Sequence, residues 1–230
     1  MLEGFTLEGL EERIGYRFHN KGLLKQAVTH SSYTNEQKIN RFKHYERLEF
    51  LGDAVLEMVS SDFLYRTHPK LQEGKLTKLR ASLVCEQALA FCAKDLELGS
   101  FMLFGKGEEN TGGRCRESIT ADAMESLIGA IYLDGGLKPA RDFIFRFILN
   151  DLEDKQLFFD SKSNLQEMIQ GKLKKEFHYE LLEETGPEHD KTFVFGVFME
   201  GEKIGMGSGR TKKAAEQQAA YQALLFLRDK

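Results

Sequence analysis

The stretch that most constrains this chain is Glu46–Leu56, ERLEFLGDAVL, which sets three carboxylates into a run of strong helix formers and apolar residues. Each residue of an α-helix turns the chain by about 100°. With Glu46 as origin, Glu49 falls at about −60° and Asp53 at about −20°, so the three share one narrow face. Leu51, Ala54, Val55, Met58 and Val59 fall on the opposite side, where a buried stripe is expected. Like charges at i, i+3 and i+7, with no lysine or arginine on their face, repel one another. A cation should offset them, and a divalent metal is the leading reading. Glu57, at about +20°, is geometrically as eligible as the other three, and spacing alone does not choose among the four.

A second helix shows the same peculiarity. Ile119–Leu133, ITADAMESLIGAIYL, is apolar nearly all the way round and reads as a central buried helix. Its carboxylates before the closing DGG, Asp122 and Glu125, lie at i and i+3 on one face. Buried carboxylates are rare unless paired or bound to metal. Glu73, in the turn HPKLQEG, is a possible sixth acidic group. One acidic i, i+3 pair is most often a solvated helix face; two such sets on strongly apolar helices point to a site. Carboxylates are hard oxygen donors suited to Mg²⁺ or Mn²⁺. A metal held by them can activate water and stabilise charge on a phosphoryl group. The chain carries no GxSxG elbow, no P-loop and no HExxH.

Around these helices the pattern predicts more helix: residues 7–18, then a helix capped by Asn20. A polar loop is expected over 31–44, and the acidic helix should run to about Tyr65. One helix is expected over 75–96, stopped by a glycine cap at Leu98-Gly99. A glycine-rich loop should follow over 105–118, and the last helix of this part is opened by Pro139. After Gln156 the pattern changes to helix, three strand-like segments and helix, with Phe193, Phe195, Val197 and Met199 alternating against Val194 and Phe198. The expected organisation is a mainly α domain over 1–156, a linker at 157–161, and a small α+β domain of order α-β-β-β-α over 162–230.

Composition narrows the setting. With 41% hydrophobic and 30% charged residues the chain is globular. No apolar run is long enough for a membrane span and the acidic start is unlike a signal peptide. Three cysteines without zinc-ligand spacing fit a reduced cytoplasmic setting. The net charge is −4, and residues 161–230 balance 11 basic against 11 acidic groups. Bulk charge therefore says nothing about nucleic acid, and placement must decide. Lys212 and Lys213 open the last helix behind a glycine-rich turn, which is favourable for phosphate. Lys172, Lys174 and Lys175 form a second basic cluster. Lysines on a solvated helix face are the plainer alternative for both.

The chain resembles bacterial ribonuclease III over nearly its whole length. ERLEFLGDAVL matches that family's signature, ADAMESLIGAIYLDGG its second acidic helix and EGKLTKLRASLV the segment between them. LQEMIQGK, GPEHDK and GRTKKAAEQQAA resemble a double-stranded-RNA-binding domain. The resemblance implies a homodimeric, Mg²⁺-dependent endoribonuclease (Mn²⁺ substituting) that cuts double-stranded RNA with activated water. Its products would carry 5′-phosphate and 3′-hydroxyl ends with short 3′ overhangs, in the processing of ribosomal and messenger RNA. It implies that Glu49, Asp53, Asp122 and Glu125 bind metal, with Asp53 and Glu125 closest to catalysis, and that Glu46 and Glu73 form an outer acidic shell. Glu57 matches no functional position. Phe50 would lie in the dimer interface, Gln166, Gln170 and His189 would face RNA, and Lys212 with Lys213 would clamp phosphate. Tyr45 departs from the pattern, standing where the family often has asparagine; DSKSNLQE is a loose match to the entry of the second domain.

Overall fold

A computed structural model describes residues 4–38, 43–150, 161–187, 191–209 and 211–228. The chain divides into two units, Met1–Asn150 and Asp151–Lys230. The expected linker at 157–161 lies outside the described residues except for Ser161, which already opens a helix.

In the first unit, α1 (Leu7–Ile14) begins at Thr6, whose hydroxyl oxygen accepts from the Gly9 N–H. It stops short of the expected residue 18 because Gly15 turns left-handed (φ 71°). α2 (Lys21–Ala27) starts as expected, with the Asn20 side chain accepting from the Gly22 N–H. The polar stretch after it is not all loop. His30 Nδ1 accepts from the Ser32 N–H at 3.1 Å and caps a short α3 (Ser31–Glu36).

The acidic helix α4 spans Glu46–Thr67. The single helix expected over 75–96 is two, α5 (Glu73–Val84) and α6 (Glu86–Asp95), broken at the extended backbone of Cys85 (φ −70°, ψ 160°). Each half packs on a different helix, α5 on α4 and α6 on α9 (Glu117–Gly135). Glu73 is accordingly the first residue of α5 and not part of a turn. Gly99 is no helix cap: it lies inside a short α7 (Leu98–Phe101), and the left-handed residue before it is Glu97 (φ 50°). The glycine-rich loop contains α8 (Lys106–Asn110) and a 3₁₀ turn, Gly113–Cys115. Arg114 orders it by donating to the carbonyls of Gly99 at 2.7 Å and Met102 at 2.8 Å. α10 (Leu137–Phe147) follows α9.

The core of this unit is the crossing of α4 and α9. A Cβ at Gly52 would collide with the Glu125 carbonyl, and one at Gly129 with the Leu48 carbonyl, so the two backbones touch. Glycine inside a helix costs about 1 kcal/mol relative to alanine, and here close approach requires it. The crossing also corrects the expected buried stripe. The buried residues of α4 are Leu48, Gly52, Val55, Leu56, Val59, Ser60 and Leu64. This face is turned roughly a quarter of a circle from the one the hydropathy suggests. Val55 and Val59 are buried as expected, but Leu51 is only half-buried and Ala54 and Met58 are exposed.

The far end of α9 is tied to the start of the chain. Asp134 accepts from the Tyr16 hydroxyl at 2.8 Å and from the backbone N–H groups of His19 at 2.9 Å and Asn20 at 2.8 Å. Burial pushes this carboxyl up, but the hydrogen bonds more than offset it and hold it below the usual range.

The second unit has the α-β-β-β-α order. α11 (Ser161–Gln166) continues as a π-helical segment, Glu167–Leu173. β1 (Phe177–Thr185), β2 (Thr192–Met199) and β3 (Glu202–Gly209) form an antiparallel sheet in sequence order, with a register shift at Leu181/Glu183. α12 (Lys212–Arg228) lies against β3 and β2. Phe195, Val197 and Met199 face a core with Leu165, Ile169, Ala219 and Leu224. Phe193 is partly buried against it. A Cβ at Gly205, Gly207 or Gly209 would strike the backbone of α12 around Ala215–Ala223, so alternate glycines on one strand face let the helix lie directly on it.

Candidate functional site

The α4–α9 crossing places the acidic groups. Gly52 sits against Glu125, and Glu49 and Asp53 flank Gly52 on α4. Asp122 lies one turn before Glu125 on α9. Glu49, Asp122 and Glu125 are half-buried at the rim of the contact, while Asp53 and Glu46 are exposed. Burial pushes Glu125 up to about 8, reinforced by the charges of Asp53, Glu49 and Asp122. Burial likewise pushes Glu49 up to about 7, reinforced by Asp122, Glu46 and Asp53. Asp122 is raised by burial and by the charges of Glu86 and Glu46, and the Tyr45 hydroxyl, 3.3 Å from its Oδ2, partly offsets this. Glu49, Asp122 and Glu125 thus each feel neighbouring carboxylates.

They do not form a closed cage. Among the described residues no three His, Cys, Asp or Glu side chains stand close enough to hold an ion as they are. The donor set still fits a hard divalent cation, because magnesium keeps several waters and needs only one or two carboxylates directly.

The outer acidic residues separate from one another. Glu46 is exposed, with His44 Nδ1 3.7 Å from its carboxylate. Glu73 does not join the cluster within one chain. It accepts from the Thr77 hydroxyl at 3.0 Å and lines a groove of about 400 Å³ with Ser61, Tyr65 and Arg80. Ser61 lies two turns beyond Asp53 on α4, about 12 Å along the axis. Glu57, which spacing left eligible, is neutralised by Arg80 of α5 at 3.0 Å. Phe50 is 81% exposed on the face left open by the crossing, together with Met58 and Tyr65. Two groups near the cluster escape sequence reasoning. Glu86, first residue of α6, acts on Asp122 from a third helix, and Tyr45 is buried beneath the acidic rim. The visible signals were Gly52 and Gly129, glycines inside strong helix sequence that mark a close crossing.

In the second unit Gln166, the last residue of α11, and Gln170, in the π-helical segment after it, are exposed side by side and joined by a hydrogen bond of 3.1 Å. Lys212 and Lys213 are exposed at the first turn of α12, which Thr211 caps by accepting from the Ala214 N–H. Lys212 Nζ lies 5.6 Å from the centre of the Phe193 ring. Lys175 is paired with Glu200 at 2.7 Å, which weakens the second basic cluster. His189 lies outside the described residues.

An acidic helical crossing in one unit and an α-β-β-β-α unit with an exposed lysine pair define the class. Residues 20–152 match the ribonuclease-III-like family, and residues 161–227 match the double-stranded RNA binding motif. The chain belongs to the ribonuclease-III-like family. It is 49% identical over 219 residues to ribonuclease 3 of Pelotomaculum thermopropionicum, covering 94% of this chain and 91% of that protein. It is 49% identical over 218 residues to ribonuclease 3 of Caldanaerobacter subterraneus, covering 94% and 95%. It is also similar to the solved nuclease domain of ribonuclease III from Campylobacter jejuni, with a TM-score of 0.58, 43% identity, and 62% of this chain and 96% of that one covered. That structure describes flexibility in a region involved in dimer formation.

Proposed function

We propose that this protein is an endoribonuclease that hydrolyses double-stranded RNA, with Glu49, Asp53, Asp122 and Glu125 holding Mg²⁺, or Mn²⁺ in its place. The observation that carries the reading is the glycine crossing, which gathers four carboxylates and raises Glu49 and Glu125 to about 7 and 8. When bound, a divalent cation neutralises charge on the scissile phosphodiester and makes a water nucleophilic at neutral pH. The chain's own part is to supply oxygen donors from two helices whose backbones cannot slide apart. Burial pushes the half-buried Glu125 up to about 8, so its carboxyl would have to lose its proton to hold a cation. Asp53 is exposed on the same rim and open to a ligand from solvent. Glu46 and Glu73 remain outer acidic groups.

The α-β-β-β-α unit supplies the duplex. Gln166 and Gln170 along one continuous helical stretch, and Lys212 with Lys213 at a helix start, fit recognition of A-form RNA by shape and phosphate, with His189 as a further RNA-facing residue. Residues 1–156 and 162–230 are the two domains of this reading, with 157–161 as linker. The exposed Phe50, Met58 and Tyr65 of α4 support a homodimer. Such an enzyme would process precursors of ribosomal and messenger RNA in the cytoplasm.

Incubation of labelled RNA duplex with the protein and Mg²⁺ tests the reading. Cleavage to 5′-phosphate and 3′-hydroxyl ends is expected, abolished by a chelator. Glu125→Gln should lower the rate on the order of 100-fold or more, as loss of a group acting directly on the reacting centre does, while duplex binding survives. Binding without cleavage by the unaltered protein would overturn it. Phe50→Ala should shift the sedimentation profile toward the monomer; an unchanged profile removes Phe50 from the interface.

A further inference from the structure

Tyr45 is the one residue tied by direct hydrogen bonds, among those described, to both carboxylate-bearing helices. Its N–H donates to the Thr29 carbonyl at 3.0 Å, which anchors it to the segment after α2. Its carbonyl accepts from the N–H groups of Leu48 at 2.7 Å and Glu49 at 3.0 Å, so it opens α4 and fixes the turn from which Glu49 projects. Its side chain does not cap that helix. Instead it passes into the interior, 5% exposed, and its hydroxyl reaches across to Asp122 Oδ2 on α9 at 3.3 Å. The ring is held from behind by His30, with ring centres 5.7 Å apart. A phenol in so buried a place needs a hydrogen-bond partner, and the carboxylate is the one it has.

We infer that Tyr45 is a positioning residue for the cation site: its hydroxyl occupies Oδ2 of Asp122 and leaves Oδ1 as the oxygen available to a divalent cation. This rests on the carboxylates being the cation site. An ionised carboxylate accepts at two oxygens and rotates freely unless one is engaged. Engaging Oδ2 with a neutral donor restricts that rotation without adding charge to an already acidic rim. A lysine in this place would compete with the cation, and asparagine is too short to span from α4 to α9 along the same path. At 3.3 Å the contact is longer than the usual O–H···O range of about 2.5–3.0 Å, so it steers the carboxylate weakly and does not lock it.

The test is titration of the full-length, cation-free protein with Mn²⁺, read by electron paramagnetic resonance as free against bound ion. Tyr45→Phe keeps the ring and removes the hydroxyl, and it should weaken Mn²⁺ binding about tenfold, the low end for a lost hydrogen bond behind a metal ligand. The same change in an Asp122→Asn background should have no further effect. Cleavage by Tyr45→Phe should recover the unaltered kcat at high Mn²⁺. A Tyr45→Phe titration that overlays the unaltered protein, while Glu125→Gln and Asp122→Asn weaken binding, overturns the role of Tyr45. If those two carboxylate variants also titrate unchanged, the site assignment itself fails. Additive losses from Tyr45→Phe and Asp122→Asn would show that the hydroxyl acts elsewhere and sink the inference.

Discussion

The two units use the same packing device and place their charges oppositely around it. In the first, Gly52 and Gly129 bring two helix backbones together, and four carboxylates stand on the rim of that contact. In the second, Gly205, Gly207 and Gly209 bring a strand against a helix, and the lysine pair stands exposed at the helix start, just before that contact begins. Glu49, Asp122 and Glu125 are therefore half-buried and hold their protons more tightly than free carboxylates, whereas the lysines are exposed. The difference follows from what each must hold. A small cation needs several oxygens at fixed positions, which costs stability until it binds. A phosphate backbone needs only accessible positive charge, and its contribution comes from counterion release.

The largest effect expected from breaking this comparison comes from the glycines. Gly52→Ala puts a methyl group against the Glu125 carbonyl, backbone that cannot turn aside, and should destabilise the first unit by about 3 kcal/mol or more. Gly205→Ala should do the same to the second unit alone. Thermal unfolding followed by calorimetry will separate the two; a Gly52→Ala protein that melts as the unaltered one would show that the helices can part.

A smaller effect is expected from pH. Glu49 and Glu125 have folded values of about 7 and 8, above the ordinary 4.5. Between about pH 4.5 and 8 the folded state therefore binds more protons than the unfolded one, and stability falls as pH rises. Without divalent ions the first melting transition should drop steadily from pH 5 to 8, at about 2–4 °C per kcal/mol. Added Mg²⁺ should flatten that slope, and Glu125→Gln should reduce it. A transition that rises over this range would contradict the buried, mutually repelling arrangement.

The smallest effect is on duplex affinity. Lys212→Ala with Lys213→Ala should weaken RNA binding at low salt and lower the slope of log affinity against log salt by about 1 per lysine. Filter binding across salt concentrations measures this directly. A slope that does not change would place the phosphate contacts elsewhere.

Much of this was legible in the sequence because it rests on spacing. The carboxylate face of α4, the pair on α9, the Asn20 cap and the alternation in β2 all follow from local periodicity. What was not legible depends on partners distant along the chain. Hydropathy put Met58 and Ala54 on the buried side of α4, because nothing local says which apolar face meets α9; Gly52 decides that, and its partner is 73 to 77 residues further on, at Glu125 and Gly129. Glu57 looked like a fourth acidic ligand until Arg80 was brought to it by α5. His30 made a helix of an expected loop through a side-chain cap that histidine seldom provides. Glu73 could not be placed at all by spacing, since the break at Cys85 sets where α5 lies.

Asp134 carries a further consequence, for the order in which the chain comes together. The Tyr16 hydroxyl and the His19 and Asn20 amides find their acceptor 118, 115 and 114 positions later. As the chain emerges from a ribosome, that early segment stays without its partner until α9 has been made almost to its end. Contacts of such long separation slow folding, so the first unit cannot join its beginning to the last turn of α9 until that helix has been made. A chain cut short before residue 134 would hold ERLEFLGDAVL complete and still lack the clasp that fixes the helix opposite it.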